Sequence, residues 1–209
     1  MTLGALEIDK LLPATFTAPG LSEAEFLELC GRFPDAMVEY TSDGTVIVMP
    51  PTDPENGVCV GEVFGQLRDW ARQERRGLAS GPDAGFHFRD GSRRSPDAAW
   101  FDRTRWREAK RSAKPRQRFP VFAPDFVIEV RSPDDRIRKL RGKMEEYIAN
   151  GVQLAWLIDP QERTISIYRA GQSPEALNPE VLTNPATVAA EGPVAGFVLN
   201  LDRVFDPVG

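Results

Sequence analysis

The chain has 209 residues, of which 41% are hydrophobic and 27% charged, with 18 Pro, 17 Gly and a formal charge of −5. That length suits a single domain spanning 1–209 with a core over about 22–205, and 12 Phe with 4 Trp exclude wholesale disorder. No apolar run approaches the ~18–20 residues of a membrane span, and Met1 to Glu7 lacks the basic and apolar regions of a secretory leader, so a cytoplasmic location is expected.

Ser22 and Glu25 form a capping box ahead of Phe26, Leu29, Cys30 and Phe33, which recur at helical spacing. A hairpin follows, Ala36 to Thr41 and Thr45 to Met49 around Ser42-Asp43-Gly44. Beyond the loop from Pro50 to Gly57, Val60, Val63, Phe64, Leu67, Trp70 and Ala71 make one stripe of a second helix. Gly85 to Phe88 and Ser95 to Phe101, joined through Arg89-Asp90-Gly91-Ser92, read as a second hairpin. Phe126 to Val130 reads as a buried strand because four of its five residues are apolar. Ser132-Pro133-Asp134-Asp135 then caps a helix whose buried face is Ile137, Leu140, Met144, Tyr147 and Ile148. Strands at Val152 to Ile158 and Thr164 to Tyr168, and a last one at Phe197 to Leu201, complete an α/β chain with a mixed sheet.

Two cysteines, Cys30 and Cys59, cannot build a disulfide framework and lack zinc-site spacing, while a single His87 excludes multi-histidine metal centres. Chemistry must therefore run on carboxylates, Lys and Arg. Charge is segregated: Phe101 to Pro120, which includes Arg116, carries a net +6, Asp134 to Lys143 a net +3, and the rest −14. Basic blocks on an acidic body are either a footprint for a phosphate backbone or solvated loops.

Glu129 is the anomaly of the pattern. A carboxylate inside Val127-Ile128-Glu129-Val130 faces a core, where an unpaired charge costs several kcal/mol. It can hold a cation, or pair with Arg131, which lies on the same strand face. Asp97 opens a neighbouring apolar strand, and two carboxylates on adjacent strands make an oxygen-rich site for Mg²⁺. The alternative is a turn cap at Asp97 and an ion pair at Glu129.

Pro96-Asp97 with Glu129-Val130-Arg131 has the layout of the PD-(D/E)XK nuclease signature. The longer segments Gly85 to Trp100, Pro124 to Ser132, Lys143 to Tyr147, Asn150-Gly151-Val152 and Trp156 to Pro160 resemble the Uma-two family of restriction-endonuclease-like proteins. The resemblance implies a restriction-endonuclease-like core with an N-terminal hairpin and a C-terminal strand. It also implies a Mg²⁺ (or Mn²⁺) site of Asp97 and Glu129, joined by Glu55 at the start of the second helix. The lysine of the signature is replaced by Arg131, which cannot act as a base but can hold a phosphate. Lys143 lies about 240° around its helix from Ile137, at the border of the buried face, and is the expected substitute. The implied activity is hydrolysis of DNA phosphodiester bonds, and cutting both strands of a duplex is compatible with a homodimer. The alternatives are a weakly active nucleic-acid-binding relative and a fold reused for protein contacts.

Overall fold

A computed structural model describes residues 12–115, 117–171 and 178–207; Met1 to Glu7 and Arg116 lie outside them. Strand β1 (Ala14–Thr17) precedes helix α1 (Glu23–Arg32), whose capping box is formed as expected: Glu25 N–H donates to Ser22 Oγ, and Ser22 N–H to Glu25. The hairpin β2 (Met37–Tyr40) and β3 (Thr45–Met49) leads into α2 (Pro54–Glu74), N-capped by Asp53. Next come β4 (Gly77–Ser80), β5 (Phe86–His87), β6 (Arg93–Arg94), β7 (Ala98–Asp102) and α3 (Arg103–Ser112). The chain continues through β8 (Phe126–Val130), α4 (Ile137–Ala149), β9 (Leu154–Asp159) and β10 (Thr164–Arg169). It closes with β11 (Glu180–Thr183), β12 (Thr187–Ala189), β13 (Val198–Asn200) and α5 (Asp202–Phe205).

The central sheet has the order β11-β10-β9-β8-β7-β4, with β8 and β9 parallel and every other pair antiparallel. Because side chains alternate along each strand, the sheet has two apolar faces. Ala98, Trp100, Phe126, Ile128 and Val130 meet Val60, Val63 and Leu67 of α2. Ala99, Phe101 and Val127 meet Leu140, Met144 and Tyr147 of α4. A smaller sheet, β1-β3-β2-β6-β5, packs Val38, Tyr40, Val46 and Val48 against Phe26 of α1. Among the described residues no helix is long and apolar enough to cross a membrane. Cys30 and Cys59 are free thiols, and Cys59 donates to the Val204 carbonyl.

Several elements differ from the pattern read in the sequence. The second hairpin closes through β6 at Arg93–Arg94, and the chain then changes sheets, so Ala98–Asp102 pairs with β4 and β8 instead of β5. The first part of the first basic block, Arg103–Ser112, is a helix. Asp102 caps it by accepting from the Thr104 and Arg105 amides, and Trp106 docks on Phe101 and Phe122. Asp135 closes a turn onto Ser132, and α4 begins only at Ile137.

Strand β4 carries no apolar alternation. It is fixed by pairing with β7 and by the indole of Trp100 lying on Gly77, where a Cβ would come within 2.2 Å of the ring. Gly77→Ala is therefore expected to lower stability by about 1–3 kcal/mol through overpacking. Urea unfolding of the two proteins checks this, and an unchanged midpoint would show that Trp100 moves freely.

Candidate active site

Alternation in the small sheet aims two charged residues inward. Val38 and Tyr40 of β2 face α1, so Glu39 faces away from it, toward α4. In β6, Arg93 lies over the rings of Phe26 and Tyr40, at 4.9 and 5.6 Å from their centroids. Its neighbour Arg94 therefore points the other way, donating to Glu39 Oε2 at 3.1 Å and to Glu146 Oε1 of α4 at 2.9 Å. Glu39 Oε1 also accepts from the Ser95 amide at 2.9 Å.

The central sheet supplies two more carboxylates. The antiparallel register pairs Ala98 with Ile128, so one step further Asp97 stands opposite Glu129 on the face that α4 covers. Asp97 Oδ2 accepts from the Val130 amide at 2.7 Å. Glu129 is 4% exposed, and its Oε1 accepts from the Tyr147 hydroxyl at 2.7 Å. Lys143 Nζ lies 2.9 Å from that same oxygen and 2.9 Å from Glu39 Oε1, bridging the two sheets. Asp97 Oδ1 and Glu129 Oε2 accept no hydrogen bond among the described residues.

Burial sets the electrostatics, and the few cations divide its effect unequally. Glu129 is pushed up to about 8 by burial, with Asp97 and Glu39 adding to the rise and Lys143 opposing it. Asp97 is pushed up to about 6, mainly by burial. Glu39 is equally enclosed, but Lys143 and Arg94 hold its carboxyl below the ordinary glutamate value. Burial alone would lower the Lys143 amine; Glu129 and Glu39 outweigh it and raise the amine above its ordinary value. The two carboxylates thus favour the ammonium form of Lys143.

The structure brings Asp97, Glu129 and Lys143 together and leaves two other expected residues apart. Arg131 does not meet Glu129. Parallel pairing matches Val130 with Ile158, which brings Arg131 beside Asp159, and the two form an ion pair at 2.7 Å. Glu55 is exposed in the first turn of α2, which packs on the opposite face of the sheet, and makes no hydrogen bond or ion pair with Asp97 or Glu129. His87 is also remote: its Nδ1 lies 3.4 Å from the Phe119 carbonyl, and burial beside Arg93 lowers its pKa.

Glu39, Arg94 and Tyr147 are the cluster residues that the sequence reading missed. Val38-Glu39-Tyr40 carried the same signal as Glu129, a carboxylate between apolar strand residues, but a lone hairpin offers water to one face.

Among the described residues no three carboxylates, imidazoles or thiols are gathered as ligands for one ion. Two carboxylates with one unengaged oxygen each do suit Mg²⁺, which keeps several waters and takes one or two carboxylates along with substrate phosphate oxygens.

A mixed sheet covered on both faces by helices, with β8 and β9 parallel at its centre, defines a restriction-endonuclease-like fold. The chain belongs to the Uma2 family, described as "Putative restriction endonuclease", which it matches over residues 23–202. It is similar to the crystal structure of "a putative nuclease belonging to DUF820" from Anabaena variabilis, with 25% identity and a TM-score of 0.68. That match covers 87% of this chain and 96% of the other. No curated protein matches the sequence.

The raised carboxyls give stability a direction in pH. Unfolded, Glu129 titrates near 4.5 and folded near 8, so between those values the folded chain binds the extra proton and loses stability as pH rises. The Asp97 contribution has the same sign and is spent by about pH 6. Glu129→Gln, which retains an oxygen acceptor, should therefore lose less stability than the parent between pH 6 and 8.5. Chemical unfolding at both pH values tests this, and equal losses would overturn it.

Proposed function

We propose that this protein is a metal-dependent endonuclease that hydrolyses phosphodiester bonds of DNA, with Asp97 and Glu129 holding a Mg²⁺ (or Mn²⁺) ion. The observation that carries the reading is the pair of opposed carboxylates with unengaged oxygens beside a buried lysine. When bound, such an ion lowers the pKa of a coordinated water and neutralises charge on the phosphate.

The residues of the chain supply the rest. Tyr147 donates to Glu129 Oε1, which holds the carboxylate in place and leaves Oε2 as its unengaged oxygen. Lys143, held protonated by two carboxylates, stabilises charge that develops on the phosphoryl oxygens. Glu39 and Arg94 position that ammonium: Arg94 joins Glu39 to Glu146, three residues beyond Lys143 on α4. A lysine from the following helix thereby serves where Arg131 replaces the lysine of the strand signature. The described residues hold one such site, so a double-strand break takes two copies or two encounters.

The two basic blocks have different places. The second borders the site through α4. The first, α3, follows β7, and Asp97 precedes that strand; five steps at ~3.3 Å put the two ends about 17 Å apart. Arg107, Lys110 and Arg111 are exposed on α3 and make no ion pair with the described residues, whereas Arg105 is committed to the buried Asp125. Replacing Arg107, Lys110 and Arg111 with Ala should weaken DNA binding and reduce its salt dependence, with kcat unchanged. An unaltered affinity and salt slope would return the block to a solvated surface.

Lys143→Ala would leave two buried carboxylates short of a partner, a loss of about 3–5 kcal/mol, so Lys143→Gln is the cleaner variant. It should cut supercoiled plasmid at least about 100-fold more slowly in Mg²⁺ while DNA binding persists. Nicking at the parent rate would remove Lys143 from the reaction. A parent that binds DNA and never nicks it would favour the binding-only alternative.

A further inference from the structure

A pocket of about 470 Å³ opens on the α4 face of the central sheet, on the β10 side of the helix. Its floor includes Leu157, the register partner of Glu129, so it adjoins the candidate active site within one strand spacing of about 4.8 Å. Two arginines line it. The Arg131 side chain is 18% exposed and pinned on one side, with Nη1 on Asp159 at 2.7 Å and Nε on the Asp135 carbonyl at 3.3 Å. Its Nη2 has no hydrogen-bond partner among the described residues. Arg141 is exposed and makes no hydrogen bond or ion pair with them. Two acids also line the pocket: Asp159 is fully engaged, because its Oδ1 accepts from the Glu162 amide at 3.2 Å, and Glu162 is exposed. Thr164 and Ser166 add hydroxyls to the wall, and neither side chain makes a hydrogen bond with the described residues.

A planar guanidinium locked by a carboxylate, with one edge left open, together with a second free guanidinium and two hydroxyls, is donor-rich chemistry suited to a phosphate. We infer that this pocket is a second phosphate subsite, holding a backbone phosphate of the substrate strand beside the one that is cut. The inference rests on the nuclease reading and assigns Arg131 a new task. At the signature's lysine position it acts as a clamp on the strand, two residues and about 7 Å along β8 from Glu129. One strand can touch both.

Arg131 is a poor place to test this, since its removal strands a buried Asp159. Arg141→Glu and Val181→Trp are better: both residues line the pocket from exposed positions, and the indole fills the space. The probes are a fluorescent DNA oligonucleotide, bound with Ca²⁺ in place of Mg²⁺, and the same oligonucleotide cut in Mg²⁺. Each variant should raise Kd and KM about tenfold and leave kcat and the unfolding midpoint unchanged, and Arg141→Glu should flatten the salt slope by about one. Inorganic phosphate should compete with the oligonucleotide in the parent more strongly than in either variant. Parent-like Kd, KM and phosphate competition in both variants would overturn the subsite while leaving the nuclease reading intact. A parent that neither binds nor cuts DNA would overturn that reading itself, and the subsite with it.

Discussion

Three carboxylates are enclosed where the two sheets meet, and one ammonium stands between two of them. Lys143 touches Glu39 and Glu129 at 2.9 Å each, and the rest of the site depends on that bridge. Without it, burial and mutual repulsion would force protons onto the carboxyls or pull the sheets apart. With it, Glu39 is held ionised, while Glu129 and Asp97 retain raised proton affinities. The charges are compensated only in part, and that imbalance leaves the Asp97–Glu129 pair suited to a divalent cation.

The bridge is a product of alternation in two separate sheets. In β2 and β6, the residues next to Glu39 and Arg94 turn toward α1, which obliges these two to turn toward α4. In β7 and β8, apolar residues at even positions bury against α2, so Asp97 and Glu129 share the other face. Helix α4 closes the arrangement, contributing Lys143, Glu146 and Tyr147 from consecutive turns. The N-terminal sheet is therefore more than a cover. It delivers the carboxylate that positions the lysine.

Much of this was legible in the residues. Glu129 was conspicuous because a charge in an apolar strand demands a partner, and the helical angle of Lys143 placed it at the border of the buried face. What escaped was information carried by tertiary pairing. Glu39 drew no attention because nothing in its own hairpin shows that a second layer covers it. Arg131 looked like a partner for Glu129 until the parallel register with β9 set Asp159 beside it. Glu55 matched by position in the chain, yet α2 packs on the far face of the sheet. The basic stretch after Asp102 lacked an apolar stripe, and its helix is secured by a cap, by Trp106 on Phe101 and Phe122, and by the ion pair of Arg105 with Asp125.

Binding of one divalent cation between Asp97 and Glu129 is the proposal on which the reaction depends. A crystal of the full chain soaked in Mn²⁺ tests it most directly, through the anomalous signal of the ion. The account predicts one ion at about 2.1 Å from an oxygen of Asp97 and an oxygen of Glu129, abolished in Asp97→Asn, with Lys143 still seated between Glu129 and Glu39. An ion bound elsewhere, at Glu55 for instance, or no ion between these two carboxylates at saturating Mn²⁺, would contradict it.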